Sequence, residues 1–354
     1  MPRKHSHWPR CPSIAIVCPG GDPFPKVPIL KNAIFLSLAF CLVLLTPGVR
    51  AQDAANASAT PEEPGGNETV EVAMQAPPPL WRLTRPSNPD SEVWVIGTID
   101  SMPRNLNWNK KAIGDLLDGA RAIIMPPQPS VDLVDIGWFL IWHGSEFSLP
   151  RGKRLEATLS DSVRAHFIAV RTSLGQDEDR YATDIPLRAV IRLQGDFQNK
   201  YKLGGGAGGA IRSLASSKHV PITPAGKFEV MDILRGMLKL PIEKQNVCLA
   251  DALDDVDRLA QHAEIAARAW AKGDFKTVKA HYAEYRMLDC ITAAMQAVAN
   301  LNEFQTATYV TAINGAFAKP GKTVVTIGIG PLLRDNGVLA RLVKQGVVVE
   351  APPE

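Results

Sequence analysis

The start of the predicted fold alternates strand-like and helix-like apolar patterns. Residues Glu92–Thr98 are apolar nearly throughout, as in a strand that is covered on both faces. Asn109–Gly119 carries apolar residues at helical spacing and stops at a glycine, and Ala122–Met125 is a second buried strand that two prolines end. Strand, helix and strand within about thirty residues predict a βαβ unit.

A long helical stretch separates this unit from a similar one at the other end. Apolar residues keep helical spacing from Glu243 to Phe317, and strand Thr323–Gly328, helix Gly337–Lys344 and strand Val347–Glu350 follow. The pattern therefore predicts an α/β fold. Its βαβ units at both ends form a central mixed or parallel sheet flanked by helices, with a helical insert at about residues 228–318.

Residues Val131–Trp142 form a predicted helix that is apolar nearly all round. A helix without a polar face is either buried or docked on something. Core packing is the preferred interpretation, and contact with a membrane or a partner is the alternative.

A glycine-rich run extends from Gly204 to Gly209. A phosphate-binding loop needs Lys-Ser/Thr after its glycines, whereas Ala210, Ile211 and Arg212 follow here. The run therefore predicts a turn or a loose loop.

Residues 1–51 have the pattern of a secretory signal peptide. Basic residues precede an apolar run of 13 residues, Ala33–Leu45, and a breaker and the small-x-small site Val49–Ala51 follow. The run is too short to span a bilayer comfortably. We therefore expect an exported protein, periplasmic or membrane-associated, with no transmembrane span after signal cleavage. An uncleaved anchor and a buried helix are the alternatives.

Residues 52–78 contain almost no large apolar side chains and predict a flexible linker. The folded domain is predicted over residues 79–354. Six of the 39 Lys and Arg residues and one of the 36 Asp and Glu residues precede residue 52, which leaves 33 against 35 and a net charge of −2. No clustered basic face is visible, so the sequence does not indicate a nucleic-acid-binding protein.

Two cysteines, Cys248 and Cys290, follow the predicted signal peptide. An even pair in an exported chain indicates a disulfide. Two buried free thiols are the alternative interpretation.

Two strand-to-loop turns contain glycines where the chain needs steric freedom, Gly97-Thr98-Ile99-Asp100 and Gly328-Ile329-Gly330-Pro331. Chemistry in α/β folds collects at such strand ends. The two turns resemble the paired Gly-x-x-His motifs of the TraB/GumN family, whose members include metal-dependent peptidases. Further segments resemble the family in order and spacing over about residues 79–350: Pro79–Leu83, Leu240–Gln245, Trp270–Asp274, Val324–Gly328 and Gly337–Leu342.

The departures from the family pattern fall on its chemical positions. By this resemblance, Asp100 and Pro331 replace the two motif histidines, Pro126 replaces a strand-end glutamate, and Gly226 falls on another lost carboxylate. A catalytic metal needs about three protein ligands and an open position for water. Asp, Pro and Pro leave one oxygen ligand, so we expect no metal and no other cofactor. The alternative cofactor is a divalent metal such as manganese or zinc.

The resulting hypothesis is a degenerate, non-catalytic member of the family that binds a peptide or an envelope component. One alternative is a metal-dependent hydrolase or peptidase that uses Asp100, a weak catalytic candidate, with unidentified ligands. Another is a structural partner in an envelope complex, acting through the apolar helix Val131–Trp142. Asp100 can also be a turn residue that accepts backbone N–H bonds.

The histidines of the domain carry little signal of their own. His281 and Glu284 share one helix face, but no third metal ligand is visible and a solvated face is the preferred interpretation. His143 is expected to be a satisfied helix-end residue near Glu146, and His166 has no partner in the sequence.

Overall fold

The computed structural model of the protein describes residues 76–130, 132–282, 286, 290 and 301–353. The predicted signal peptide and nearly all of the predicted linker lie outside these residues. The described strands are β1 (Leu80–Thr84), β2 (Ser91–Thr98), β3 (Met102–Pro103), β4 (Ala120–Met125), β5 (Gln128–Ser130), β6 (Leu203–Gly204), β7 (Ile222–Pro224), β8 (Lys227–Glu229), β9 (Gly321–Gly328) and β10 (Val348–Glu350).

The helices pack around these strands. The described α-helices are α1 (Lys110–Leu117), α2 (Leu133–His143), α3 (Asp161–Ser173), α4 (Pro186–Lys200), α5 (Gly208–Ser217), α6 (Val230–Lys239), α7 (Ile242–Ala271), α8 (Phe275–His281), α9 (Leu301–Phe317), α10 (Ile329–Leu333) and α11 (Val338–Lys344).

A six-stranded mixed sheet forms the centre, in the order β10-β1-β2-β9-β4-β7. Strands β2, β9, β4 and β7 are mutually parallel, and β1 runs antiparallel to both β2 and β10. The α/β class and the central mixed sheet predicted from the sequence are confirmed. The four parallel strands matter most for function because their carboxyl ends meet at one edge.

The sheet is buried because its strands are apolar on both faces. Val95, Ile96 and Val325 have no exposed surface, and the side chains that cover them come from the flanking helices. Trp270 of α7 donates its indole N–H to the carbonyl of Gly97 over 2.6 Å. This bond ties the long helix directly to the end of β2.

A second hydrophobic core lies between α3, α4 and α7, where Phe167, Val190 and Leu253 are buried. Beside it, the carboxylate of Asp196 accepts hydrogen bonds from Arg180 at 2.8 and 2.9 Å and from the Tyr181 hydroxyl at 2.7 Å. Burial alone would raise the pKa of Asp196, but the bonds from Arg180 and Tyr181 outweigh it and hold that pKa below its usual value. The sequence patterns did not predict α4, so this core was not anticipated.

Cys248 of α7 and Cys290 form a disulfide across a sequence separation of 42 residues, with their Cα atoms 5.3 Å apart. The pairing predicted from the cysteine count is confirmed. Cys248 is fully buried and Cys290 is partly buried, so one end of the bridge lies inside the fold.

The preferred interpretation of the apolar helix was wrong. Helix α2 is largely exposed: Trp138 keeps 56% of its surface accessible, Ile141 72% and Trp142 71%, whereas Phe139 is buried. Among the described residues, α2 rests mainly on the short turn Gly144–Phe147 that follows it. An all-apolar pattern predicts burial only when another element covers the helix, and the described residues leave most of this helix uncovered.

The glycine-rich run is partly helical and not wholly loop. It ends β6, turns through Gly205 and Gly206, and begins α5 at Gly208. Elsewhere, within the described ranges, no helix is both long enough and apolar enough to cross a membrane.

Candidate functional site

Four strand ends bring the four positions singled out in the sequence to one edge of the sheet. Asp100 follows β2, Pro331 lies just beyond β9, Pro126 follows β4 and Gly226 follows β7. These strands are adjacent and parallel in the order β2-β9-β4-β7. At about 4.8 Å between neighbouring strands, the four positions span about 14 Å. We call this region the carboxyl edge.

Asp100 lies against the end of β9. A Cβ atom added to Gly328 would lie 3.9 Å from the Asp100 Oδ1 atom and 3.5 Å from Pro331 Cδ. These are ordinary contact distances, so they place the carboxylate and the proline ring at the same strand end without requiring a glycine there. Asp100 itself is exposed, whereas Ile99 and Ser101 on either side are buried.

Tyr309 of α9 is the buried neighbour that the sequence did not indicate. Its side chain has no exposed surface, and its hydroxyl has no hydrogen-bond partner in the part of the chain that the structure describes. Burial, and to a smaller extent the negative charge of Asp100, raises the pKa of Tyr309 well above its ordinary value. The hydroxyl therefore stays protonated and remains a hydrogen-bond donor in the electrostatic reach of Asp100.

At the other end of the carboxyl edge, Gly226 is packed against the Thr308 side chain. A Cβ atom at Gly226 would lie 2.5 Å from Thr308 Cγ2 on α9, closer than any normal contact. The Gly226 carbonyl accepts a hydrogen bond from the Gln128 N–H at 3.0 Å, and the Ala225 N–H donates to the Met125 carbonyl at 2.8 Å. A side chain at position 226 therefore has no room unless Thr308 moves.

The four positions do not fit a catalytic metal. Asp100 is the one side chain among them with an oxygen ligand, Pro126 is exposed, and Pro331 is buried in the short helix α10. In the described part of the chain, no three His, Cys, Asp or Glu side chains are grouped so that they could hold an ion. Three protein ligands are the usual minimum for a catalytic site.

Two hollows lie near this edge and share Tyr282, and only the smaller one is lined by Asp100. A narrow crevice of about 20 Å³ is lined by Asp100, Ser101, Ala263, His281 and Tyr282, among others, and it has room for about one water molecule. A much larger open depression, of about 540 Å³, is lined by Lys279, Tyr282, Ile329, Gly330, Leu333, Arg334 and Asp335. Ligand pockets are typically about 300–1,000 Å³, so the depression has the size for a ligand and the crevice does not.

Close backbone packing fixes the end of β2. A Cβ atom at Gly97 would lie 2.5 Å from the Trp81 ring and 2.7 Å from Ile329 Cδ1. Gly206 adopts a positive φ of 59°, and a Cβ atom there would lie 2.2 Å from the Ile99 carbonyl oxygen. The predicted turn glycine Gly97 therefore allows a close approach at the carboxyl edge, and Gly206 provides a second one. Gly328 does not, because a Cβ atom there would make only ordinary contacts.

Four histidines have side-chain partners in the structure, and the sequence had indicated one of these pairings. His143 Nδ1 lies 2.6 Å from Glu146, as expected, and His166 Nε2 lies 2.8 Å from Asp257, which is 91 residues away. His262 and His281 face each other at 3.1 Å between their Nδ1 atoms. Glu284, which was considered together with His281, lies outside the described residues.

The comparison with family models agrees with the sequence resemblance. The model of the TraB/PrgY/gumN family matches residues 79–351, a span that includes the whole carboxyl edge. No curated protein and no solved structure matches the chain.

Proposed function

The chain belongs to the TraB/PrgY/gumN family, and we propose that it is a non-catalytic member that binds a peptide or an envelope component at the carboxyl edge of its sheet. The observation that carries the proposal is the residue set at the four strand ends. One carboxylate, two prolines and a tightly packed glycine occupy the positions at which the family resemblance expects metal-binding side chains.

The large depression just beyond the end of β9 supports a peptide as the ligand. It combines apolar side chains, Ile329 and Leu333, with the aromatic ring of Tyr282. Lys279 and Arg334 line it together with Asp335, so its charged lining residues carry one net positive charge. Small-molecule and peptide sites combine apolar walls with a few polar groups in this way, so we propose an acidic peptide with apolar residues.

The proposed place of action is outside the cytoplasm, in the periplasm or at the membrane. The support is the amino-terminal pattern alone: a basic stretch, the apolar run Ala33–Leu45 and the small-x-small site Val49–Ala51. Fractionation of expressing cells tests this part, together with amino-terminal sequencing of the exported protein. A cytoplasmic protein that retains residues 1–51 would contradict it.

A peptide library displayed on phage tests the binding proposal. Selection on the full chain should enrich acidic, apolar peptides whose binding is lost in Lys279→Glu and kept in Lys276→Glu. The second lysine is a matched control because it lies on the same helix and does not line the depression. Equal binding by both variants would exclude the depression as the site.

The hydrolase alternative draws support from the crevice, where Asp100 and His281 line the same wall. The selected peptides should therefore also be incubated with the full chain and with manganese, zinc or cobalt. We expect the peptides to stay intact. Cleavage that is lost in Asp100→Ala would replace the binding proposal with the hydrolase.

The structural-partner alternative draws support from helix α2, whose tryptophans Trp138 and Trp142 are more than half exposed. A Trp138→Gln substitution on the exposed face should leave the fold intact. If the partner hypothesis holds, this change abolishes association with a larger envelope complex in co-purification. If the protein instead binds a peptide in the depression, Trp138→Gln leaves the peptide affinity unaltered, because α2 does not line the depression.

A further inference from the structure

The imidazole rings of His262 on α7 and His281 on α8 face each other within hydrogen-bond distance. The Nδ1 atoms of His262 and His281 are 3.1 Å apart, and their ring centroids are 5.2 Å apart with an interplanar angle of 43°. Both rings thus present the same nitrogen to a common point between the helices.

That separation is the one expected of two ligands on one ion. Two imidazole nitrogens bound at about 2.0–2.1 Å lie about 2.9 Å apart at a right angle and about 3.4 Å apart at a tetrahedral angle. The observed 3.1 Å falls between these values. An N–H···N hydrogen bond also allows this distance, so the surroundings decide between the two.

The surroundings differ from those of the other paired histidines. His143 and His166 are each held by a carboxylate, Glu146 and Asp257 respectively. Among the described residues, the hydrogen bond or contact that each imidazole of the facing pair makes is with the other. Within the described part of the chain, no carboxylate competes for these two nitrogens.

The helix hairpin holds the two rings in place before any ligand binds. Gly273 turns the chain between α7 and α8 with a positive φ of 73°. The Asp274 side chain then caps α8 by accepting the Thr277 N–H at 2.9 Å, and Trp270 fixes the end of α7 to β2. A chelating pair that is already oriented loses little entropy on binding.

We propose that His262 and His281 form a two-histidine site for a divalent transition-metal ion such as zinc, nickel or copper. Imidazole suits these ions and suits magnesium or calcium poorly. His281 also lines the crevice beside Asp100, which has room for about one water-sized ligand. The ion's open coordination positions therefore accept water or an oxygen of a bound partner. The proposal does not rest on peptide binding in the depression.

The test is a metal titration of the full chain without an affinity tag. The sequence also contains His5 and His7 near its start, so a His5→Gln/His7→Gln background removes that competing pair. Calorimetry with nickel, copper and zinc should give one ion per chain, with copper bound most tightly. His262→Gln and His281→Gln should each weaken binding by about tenfold or more, because a second ligand is lost. His166→Gln is the matched control and should bind as the background does.

Electron paramagnetic resonance of the copper-loaded background protein counts the nitrogen ligands of the copper ion directly. Hyperfine splitting from two imidazole nitrogens that reduces to one in either histidine variant would support the site. Binding that is absent, or unchanged in both variants, overturns it and leaves a hydrogen-bonded pair. Loss of binding in Asp100→Asn as complete as in the histidine variants also overturns it, because the ion would then lie between Asp100 and His281.

Discussion

Replacing Gly206 with alanine should destabilise the protein by displacing the end of β2. Gly206 has a φ of 59°, and an added Cβ atom would lie 2.2 Å from the Ile99 carbonyl oxygen and 3.5 Å from Asp100 Cα. The obstacle is backbone and not the flexible end of a side chain. The loop must therefore move by about 1 Å to restore an ordinary contact.

Two costs add up in this substitution. An L-residue in the left-handed region costs about 1–2 kcal/mol, and the displaced backbone adds a strain of similar size. We expect a total loss of about 2–4 kcal/mol in the free energy of unfolding. Because Asp100 follows Ile99 directly, Gly206→Ala should also lower the affinity for any ligand that contacts Asp100.

Gly205→Ala is the matched control within the same run. A Cβ atom at Gly205 meets nothing within 4 Å, and its φ is not positive. We expect a change of at most about 0.5 kcal/mol. Urea denaturation followed by tryptophan fluorescence measures both variants. Equal stability of Gly206→Ala and Gly205→Ala would refute the argument that the close approach to Ile99 constrains the loop.

Three further predictions concern the framework around the site. Trp270→Phe removes the N–H donor of the Gly97 carbonyl and should cost about 1–3 kcal/mol in a denaturation midpoint analysis, unless the carbonyl finds a new donor. Reduction of the Cys248–Cys290 bridge should cost about 4 kcal/mol by the chain-entropy model, and non-reducing peptide mapping should recover the linked peptides. The lowered pKa of Asp196 means that its stabilising contribution is present above about pH 4 and is lost as the pH falls through the folded value. Asp196→Asn should therefore destabilise the protein at pH 7 and flatten the acid limb of its stability curve; an unchanged acid limb would contradict this.

The strands of the parallel sheet could be predicted because their signal is local. Glu92–Thr98 and Thr323–Gly328 are apolar on both faces, and only a central strand buries both faces at once. Their direct pairing was not predicted, because the two strands belong to different βαβ units; the structure inserts β9 between β2 and β4 and so brings Asp100 and Pro331 to one edge. The disulfide was also predictable, since it needed only the count of cysteines after the signal segment.

Contacts between distant segments could not be predicted in this way. Tyr309 reaches Asp100, and His262 reaches His281, only because separate helices dock. The periodicity of the sequence does not fix that docking. The predicted burial of α2 was wrong for a related reason. An apolar sequence indicates that a helix is stabilised by being covered, but not whether another part of the chain covers it. Trp138 and Trp142 are exposed because the second core forms between α3, α4 and α7 and not over α2.

At the carboxyl edge, the positions that lack metal-binding side chains differ in whether such a side chain would still fit. At position 100, where Asp100 replaces the motif histidine, the side chain is exposed, so there is space that another ligand can fill. At Gly226 the space is gone, because Thr308 of α9 lies where a Cβ atom would be. At Pro331 the residue is buried within α10, which closes the end of β9. Two of the four positions are thus integrated into the packing of the edge. That integration favours a binding surface, which needs shape, over a catalytic centre, which needs ligands.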